Sequence, residues 1–218
     1  MNPALPRHPG LPAGTVPLVA ILRGLLPEQA AAVGAALFEA GLRCLEVPLN
    51  RPHALRCIQI LAAMAPADAL VGGGTMMSPR DVDEVVAAGG LLMVSPHCDP
   101  QLIAHAAARG MFCAPGVATP SEAFSALRAG AHALKLFPAE QIGPRGLKAL
   151  RTVLPPGTEV WPVGGVDEAQ MAEWVGAGAT GFGIGSQLFR PGLDAAEVGR
   201  RAARMLSAWH EARVPPGA

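Results

Sequence analysis

The sequence predicts a single (β/α)8 barrel, and three observations support this fold class. Eight short apolar or β-branched runs recur with starts 21 to 26 residues apart, and helical patterns separate most of them. Half of the 218 residues are apolar but only 4% are aromatic, which suits helices packed closely on a parallel sheet. Eight strand–helix units in this length favour a closed barrel, because a doubly wound sheet usually has about five to seven strands and leaves two edges exposed.

The eight predicted strands are short runs of mainly apolar and small residues. In chain order they are Leu18–Leu22, Cys44–Leu49, Leu70–Thr75, Leu91–Pro96, Phe112–Val117, Ala133–Pro138, Glu159–Gly165 and Gly181–Gly185. Successive side chains of a strand point to opposite faces, and barrel enzymes place their chemistry at the carboxyl ends of the strands. Polar residues within or just after these runs are therefore the candidates for a site.

Capping signals mark several of the predicted helices. Three pairs each combine a capping side chain with proline at the first helical position: Ser78-Pro79, Asp99-Pro100 and Thr119-Pro120. Gly89, Gly110 and Gly130 are expected to end these helices, and a last helix is predicted from about Asp194 to Ala212. The predicted organisation is a flexible tail over residues 1–15, one barrel domain over 16–213 and a disordered tail over 214–218.

Charge and composition exclude several function classes. Lys+Arg and Asp+Glu are both 17, so the excess positive charge typical of a nucleic-acid or anionic-membrane binder is absent. The longest uncharged run, Trp174–Phe189, is too short and too rich in glycine to cross a bilayer. The four cysteines form no C-x-x-C pair and the histidines have no metal-ligand spacing, so we expect no metal site and a reducing, cytoplasmic location. A small-molecule partner is favoured.

Lys135 is the first candidate catalytic residue. The chain has only two lysines, Lys135 and Lys148, and Lys135 lies inside the sixth predicted strand between Leu134 and Leu136. Alternation directs both leucines toward the helices and Lys135 into the barrel. A desolvated lysine can lose its proton and attack a carbonyl, which arginine cannot do. The alternative is a lysine paired with a carboxylate for stability.

Glu46 is the second candidate, and it lies in the second predicted strand between Leu45 and Val47. The same alternation directs its carboxylate into the barrel, where lone charges are rare. A glutamate beside an imine can take and return protons, with a pKa raised by burial and lowered by Lys135. A structural ion pair between the two residues is the alternative.

Further polar and glycine residues follow other strands. Gly164-Gly165 and Gly185-Ser186 follow the seventh and eighth strands, where barrels commonly bind phosphate through backbone N–H groups, although either pair can be an ordinary tight turn. Arg23 and Thr75 end the first and third strands, so they can hold a substrate carboxylate or hydroxyl, or serve as a surface charge and a helix cap. His97 is the one histidine placed near the same mouth.

Five segments resemble the class I aldolases that act on 2-dehydro-3-deoxy-6-phospho sugar acids. The resemblance runs from about Pro17 to Ala212, and residues 18–24, 46–50, 72–75, 133–138 and 163–166 follow the order and spacing of the family. It implies that Lys135 forms an imine with pyruvate and that Glu46 transfers protons. It also implies that the ends of the substrate are held by Arg23, Thr75, Gly165, Gly185 and Ser186, and that the chain forms a homotrimer.

Two positions distinguish branches of this family. Asn50 and Val163 resemble the galactonate branch, whereas the gluconate branch usually has Arg and Thr there. Exchanging Thr for Val removes a hydroxyl that can bond one epimer at C4, so both residues are expected to contact substrate. The sequence departs from the family at Gly73, where Ala is usual, and at His97-Cys98, while Pro138-Ala139-Glu140 is more like the gluconate branch.

The resemblance implies a cofactor-free lyase that cleaves 2-dehydro-3-deoxy-6-phosphogalactonate to pyruvate and glyceraldehyde 3-phosphate. The same reaction on the gluconate epimer, or on both epimers, is the nearest alternative. The candidate residues by themselves are also compatible with a phosphosugar isomerase or epimerase, with a non-catalytic phosphosugar-binding barrel and with a metal-dependent enolate aldolase.

Overall fold

A computed structural model describes residues 10–11 and 14–214 and has an α/β fold in which strands and helices alternate. The strands are β1 (Leu18–Ile21), β2 (Cys44–Pro48), β3 (Leu70–Gly74), β4 (Leu92–Val94), β5 (Phe112–Ala114), β6 (Gly116–Val117), β7 (Ala133–Leu136), β8 (Glu159–Pro162) and β9 (Phe182–Ile184). The helices are α1 (Pro27–Glu39), α2 (Ala54–Met64), α3 (Pro79–Ala87), α4 (Pro100–Ala108), α5 (Pro120–Ala129), α6 (Ala139–Arg151), α7 (Met171–Gly176) and α8 (Ala195–Ala212). Each of the eight predicted strand regions contains at least one strand.

The strands form two parallel sheets. One is a curled six-stranded sheet in the order β5-β4-β3-β2-β1-β9, and the other is the three-stranded sheet β6-β7-β8. An isolated parallel bridge between Val163 and Gly183 joins the end of β8 to β9. The fifth predicted strand, Phe112–Val117, is corrected to two segments in different sheets. Pro115 interrupts it because proline has no backbone N–H to donate, although its carbonyl still accepts a bond from the Lys135 N–H at 2.9 Å.

Two apolar layers lie on opposite faces of the strands. The larger layer packs the helices on the outer face and includes Leu45, Val47, Leu134 and Leu136, all buried. The smaller layer fills the inner face with residues of the alternate parity: Val19, Cys44, Leu70, Leu92, Val94, Phe112, Ala114, Ala133 and Trp161. This two-sided burial explains why the strands have near-continuous apolar sequences. It also means that a charged residue on the inner face is surrounded by apolar side chains.

The predicted helix starts are confirmed. Ser78, Asp99 and Thr119 each cap a helix through a side-chain oxygen, and proline follows each at the start of the helix. Ser78 with Asp81 and Thr119 with Glu122 form reciprocal capping boxes, which fix where α3 and α5 begin after their strands. These caps hold the loops that follow β3 and β6 in fixed positions.

The predicted tails fall mostly on residues 1–9, 12–13 and 215–218, which lie outside the described residues. Of the amino-terminal segment that is described, Leu11 packs partly buried against the inner apolar layer. No helix in the described part of the chain is long and apolar enough to cross a membrane.

Two adjacent glycines of β3 provide a test of the packing. A Cβ on Gly72 would collide with the backbone carbonyl of Leu92 in the neighbouring strand, whereas one on Gly73 would meet Val85 Cγ2 at 2.8 Å and Met76 Sδ at 3.0 Å, which are side-chain atoms. We expect Gly72→Ala to lower the free energy of unfolding by about 3 kcal/mol or more, because β3 and β4 must separate. Gly73→Ala should cost less, about 1–2 kcal/mol, because it meets only side-chain atoms: Met76 is flexible, although Val85 must also shift.

Urea unfolding of both variants measures this difference. Equal losses for the two substitutions would contradict the close approach of β3 and β4 at Gly72.

Candidate active site

Lys135 lies on the inner face of β7, as its position between two leucines predicts. Leu134 and Leu136 are buried in the helix-facing layer, while Lys135 is 8% exposed and lines a small cavity between the strands. Its Nζ lies 4.9 Å from the centre of the Phe137 ring. Cation–π attraction holds the amine over that ring when it is charged. Strand β7 therefore positions the backbone of Lys135, and the Phe137 ring positions its amine.

Glu46 lies on the inner face of β2 and lines the same cavity. It is 2% exposed, and its Oε2 has no hydrogen-bond partner among the described residues. The carboxylate fills the space beside Gly74 in the neighbouring strand, because a Cβ there would collide with Oε2. The predicted alternation is confirmed for both charged residues. Glycine at position 74 is what allows Glu46 to lie here.

The cavity that contains both groups is otherwise almost entirely apolar. Its lining comes from seven strands or strand ends and consists of Val19, Ile21, Glu46, Val94, Ala114, Lys135, Trp161, Val163 and Gly183. Trp161 closes one side, and its ring stacks on Phe112 with 5.5 Å between centroids. Few water molecules can solvate a charge in such surroundings, so the neutral forms of Lys135 and Glu46 are favoured.

The pKa values of the two groups shift in the directions that this burial requires. Burial raises the pKa of Glu46 from 4.5 to about 7, and the positive charges of Lys135 and Arg23 oppose the rise. Burial lowers the pKa of Lys135, Glu46 opposes this, and Arg23 adds to the lowering. No direct ion pair joins Glu46 to Lys135 among the ion pairs of the described residues. A purely structural ion pair is therefore disfavoured, and the shifts in the two pKa values favour the neutral form of each group.

Arg23 and Asn50 meet at the mouth of the site. The Arg23 Nη1 donates a hydrogen bond of 2.9 Å to the Asn50 Oδ1, although 27 positions separate them in the chain. Both side chains are exposed. The positive charge of Arg23 nevertheless lowers the pKa values of Glu46 and Lys135, which lie deeper in the cavity. The guanidinium is thus close to the buried pair and retains donors for an anion.

Thr75 follows β3 in an unusual backbone conformation. Its φ is 54°, in the left-handed region that β-branched residues rarely adopt. Such strain persists only where the surroundings enforce it, and it is concentrated at ligand-binding sites. Thr75 is partly buried and directly follows Gly74, which packs on the Glu46 carboxylate.

The two glycine-containing turns lie side by side. Val163 lines the cavity and bridges to Gly183, so Gly164-Gly165 and Gly185-Ser186 follow neighbouring strand ends. Gly164 and Gly165 have φ of 110° and 68°, which favour glycine. Within the described chain, the N–H groups of Gly165, Gly185 and Ser186 donate to no carbonyl or side chain. Uncommitted N–H groups at strand ends are suited to an anion.

Several residues near the site were not singled out from the sequence. Trp161 lines the cavity, the Phe137 ring contacts the Lys135 amine, and Gly74 makes space for Glu46. Strand parity could have identified Trp161, because it lies at the same inward position of β8 as Lys135 does of β7 and pairs with it in register. His97 does not line the cavity, and its Nδ1 is buried without a hydrogen-bond partner among the described residues.

These features define the class of the molecule. It is an α/β protein with a buried lysine and a buried carboxylate in one apolar cavity, and imine-forming lyases use such a lysine as the nucleophile and such a carboxylate to transfer protons. A family model described as KDPG and KHG aldolase matches residues 13–201, and the chain belongs to this aldolase family.

Individual relatives agree with the family. The chain is 46% identical to a probable 2-dehydro-3-deoxy-6-phosphogalactonate aldolase of Rhizobium meliloti (strain 1021), over 91% of this chain and 94% of the relative. It is 41% identical to the 2-dehydro-3-deoxy-6-phosphogalactonate aldolase of Escherichia coli (strain K12), over 90% and 96%.

Solved structures give the same result for the fold. A structure described as native KDPGal superposes with a TM-score of 0.88 at 41% identity, covering 90% of this chain and 96% of that one. KDPG aldolase from Legionella pneumophila, in which pyruvate is captured as a covalent carbinolamine, superposes with a TM-score of 0.75 at 27% identity, covering 90% and 94%. The aldolase prediction is confirmed at the level of the family.

Proposed function

We propose that the chain is a class I aldolase that cleaves 2-dehydro-3-deoxy-6-phosphogalactonate to pyruvate and glyceraldehyde 3-phosphate. The observation that carries the proposal is the placement of Lys135 and Glu46 in one apolar cavity, with the pKa of the amine lowered and that of the carboxyl raised. An isomerase or epimerase that uses carboxylates alone has no need of a buried lysine. The family membership of the chain supports carbon–carbon cleavage.

Lys135 supplies the nucleophile. The neutral amine adds to the C2 ketone and forms a carbinolamine, which loses water to give an iminium. The iminium accepts the electron pair of the C3–C4 bond as that bond breaks, and the product on the enzyme is an enamine. The apolar cavity favours the neutral amine at the start because it desolvates the ammonium.

Glu46 moves the protons. Its carboxylate, acting through a water molecule, takes the proton of the C4 hydroxyl as the aldehyde forms, and then helps return a proton to C3 of the enamine. Hydrolysis of the resulting iminium releases pyruvate and regenerates the Lys135 amine. A pKa of about 7 suits a group that must both accept and donate a proton in one cycle.

The ends of the substrate are held by the residues around the mouth. Gly165, Gly185 and Ser186 present uncommitted N–H groups, which bind the phosphate and keep the reacting carbons in register, while Gly164 shapes the turn. Arg23 and Thr75 bind the carboxylate end, with the Arg23 side chain oriented by Asn50.

The galactonate epimer is favoured by Asn50 and Val163 and by the names of the more similar relatives. A coupled assay for pyruvate with each epimer tests this, and we expect the larger kcat/KM for the galactonate epimer. Val163→Thr adds a hydroxyl to the cavity at nearly constant volume and should shift the preference about ten-fold toward the gluconate epimer. A wild-type preference for the gluconate epimer would overturn the substrate assignment without affecting the reaction type.

The activity should depend on pH through Glu46. Because its pKa is about 7, we expect kcat/KM to fall about ten-fold per pH unit as the pH decreases below 7, where the carboxylate becomes protonated. Initial rates between about pH 5.5 and 8.5 measure this. A profile that stays flat across this range would contradict the assignment of Glu46 as the base.

We also propose that the two sheets form one closed (β/α)8 barrel over residues 16–213. The Val163–Gly183 bridge, the bond of 3.0 Å from the Thr180 N–H to the Val160 carbonyl, and the direct continuation of β5 into β6 across Pro115 support closure. A homotrimer and the absence of a cofactor are proposals that rest on the family resemblance, and a cytoplasmic location is a proposal that rests on the isolated cysteines. Light scattering of the purified chain tests the trimer.

A further inference from the structure

The carboxylate of Glu140 lies against the glycine turn that follows β8. Its Oε2 would be 2.5 Å from a Cβ built on Gly164 and 3.1 Å from one built on Gly165. Only glycine fits beneath the carboxylate while the carboxylate keeps this position. Glu140 therefore packs directly on the turn that we propose binds the substrate phosphate.

The start of α6 fixes where Glu140 lies. The Ala139 N–H donates a bond of 2.9 Å to the carbonyl of Val163, so the first turn of the helix is tied to the end of β8. Glu140 is the acidic residue of that first turn, which ends at the break of α6 at Gly143. Rotation about its side-chain bonds can still move the carboxylate, since the residue is exposed.

The charge of Glu140 is not compensated by a partner side chain. Among the described residues it takes part in no ion pair or side-chain hydrogen bond, while the N–H group of Gly165 is uncommitted. A negative group next to this turn repels an incoming dianion and occupies the space nearest to it. A phosphate bound at this turn would compete with the carboxylate for the same space.

We propose that Glu140 is a specificity-determining residue that competes with the substrate phosphate and sets the affinity of the site for phosphorylated compounds. The inference rests on the proposed function, because it assumes that the turn at Gly164 and Gly165 binds the phosphate. Weaker phosphate binding also speeds the release of the phosphorylated aldehyde. The residue acts on binding and leaves the chemistry at Lys135 unchanged.

The test compares Glu140→Gln with Glu39→Gln, a matched change of an exposed glutamate at the end of α1. We expect Glu140→Gln to lower KM for the phosphorylated sugar acid and Ki for inorganic phosphate by about five-fold each, with kcat changed less than about two-fold. KM for the dephosphorylated sugar acid should not change. Glu39→Gln should match the wild type throughout.

A second measurement separates this inference from the proposed function. Exchange of the pyruvate methyl protons with deuterated solvent reports the imine and needs no phosphate. If exchange occurs and Glu140→Gln leaves both KM and Ki unchanged or raises them, the Glu140 inference is overturned alone. If the wild type neither exchanges pyruvate protons nor cleaves either epimer, the proposed function itself fails.

Discussion

Lys135→Arg is expected to reduce the rate of cleavage by at least about 10⁴-fold, to near the detection limit of a coupled assay. Arginine keeps the positive charge and much of the bulk, but its guanidinium stays protonated and cannot condense with a ketone. The loss should therefore appear in kcat and in kcat/KM together, because no iminium forms at any substrate concentration.

Lys148→Arg is the matched control for this change. Lys148 is the only other lysine, and it is exposed on α6. Its replacement should leave the rate within about two-fold of the wild type. Circular dichroism of both variants checks that the fold is retained. A Lys135→Arg protein that cleaves its substrate at the wild-type rate would disprove the imine mechanism.

Glu46→Gln is expected to lower kcat by about 10²- to 10³-fold and to stabilise the fold at alkaline pH. The activity falls because the amide can neither accept nor return a proton. The stability rises because Glu46 is buried and its Oε2 has no hydrogen-bond partner among the described residues, so the ionised carboxylate is costly in the folded state.

The pH dependence of this stabilisation follows from the direction of the pKa shift. The pKa of Glu46 rises from 4.5 to about 7 on folding, so between these values the folded chain binds more protons than the unfolded chain. Stability is then lost as the pH rises through this range, by up to about 3 kcal/mol. Glu46→Gln should therefore gain about 2–3 kcal/mol at pH 8 and less than about 1 kcal/mol at pH 5, which lies only just above the unfolded pKa.

Urea unfolding at the two pH values measures the gain. Gly74→Ala is a second variant that perturbs the same carboxylate. The added Cβ would displace the Glu46 carboxylate, so activity should fall while Glu46 remains in the sequence. An equal gain in stability for Glu46→Gln at both pH values would show that the carboxylate is not ionised at a cost in the folded chain.

Local pattern was enough to predict the placement of the two central residues. Lys135 and Glu46 each lie between outward-facing apolar neighbours, and the period of two along a strand determines their face wherever the strand forms. The caps at Ser78 and Thr119 were predictable for a similar reason, since the interacting groups are three residues apart.

Contacts between distant segments were not predictable in this way. The hydrogen bond between Arg23 and Asn50, and the packing of Glu140 on Gly164, depend on how the ends of different strand–helix units meet. The break of α6 at Gly143, where φ is 68°, was also missed, because glycine and proline at positions 143 and 144 can either end a helix or interrupt it. Sequence periodicity predicts which face of a strand or helix a residue lies on, but it does not predict the distance between residues on different elements.

Borohydride reduction in the presence of pyruvate, followed by peptide mapping, tests the central claim most directly. With only two lysines in the chain, the labelled site is unambiguous. The account predicts one modified peptide containing Lys135, with no label on Lys148 and none when pyruvate is omitted. An active enzyme that takes up no label, or takes it up at any amine other than Lys135, would contradict it.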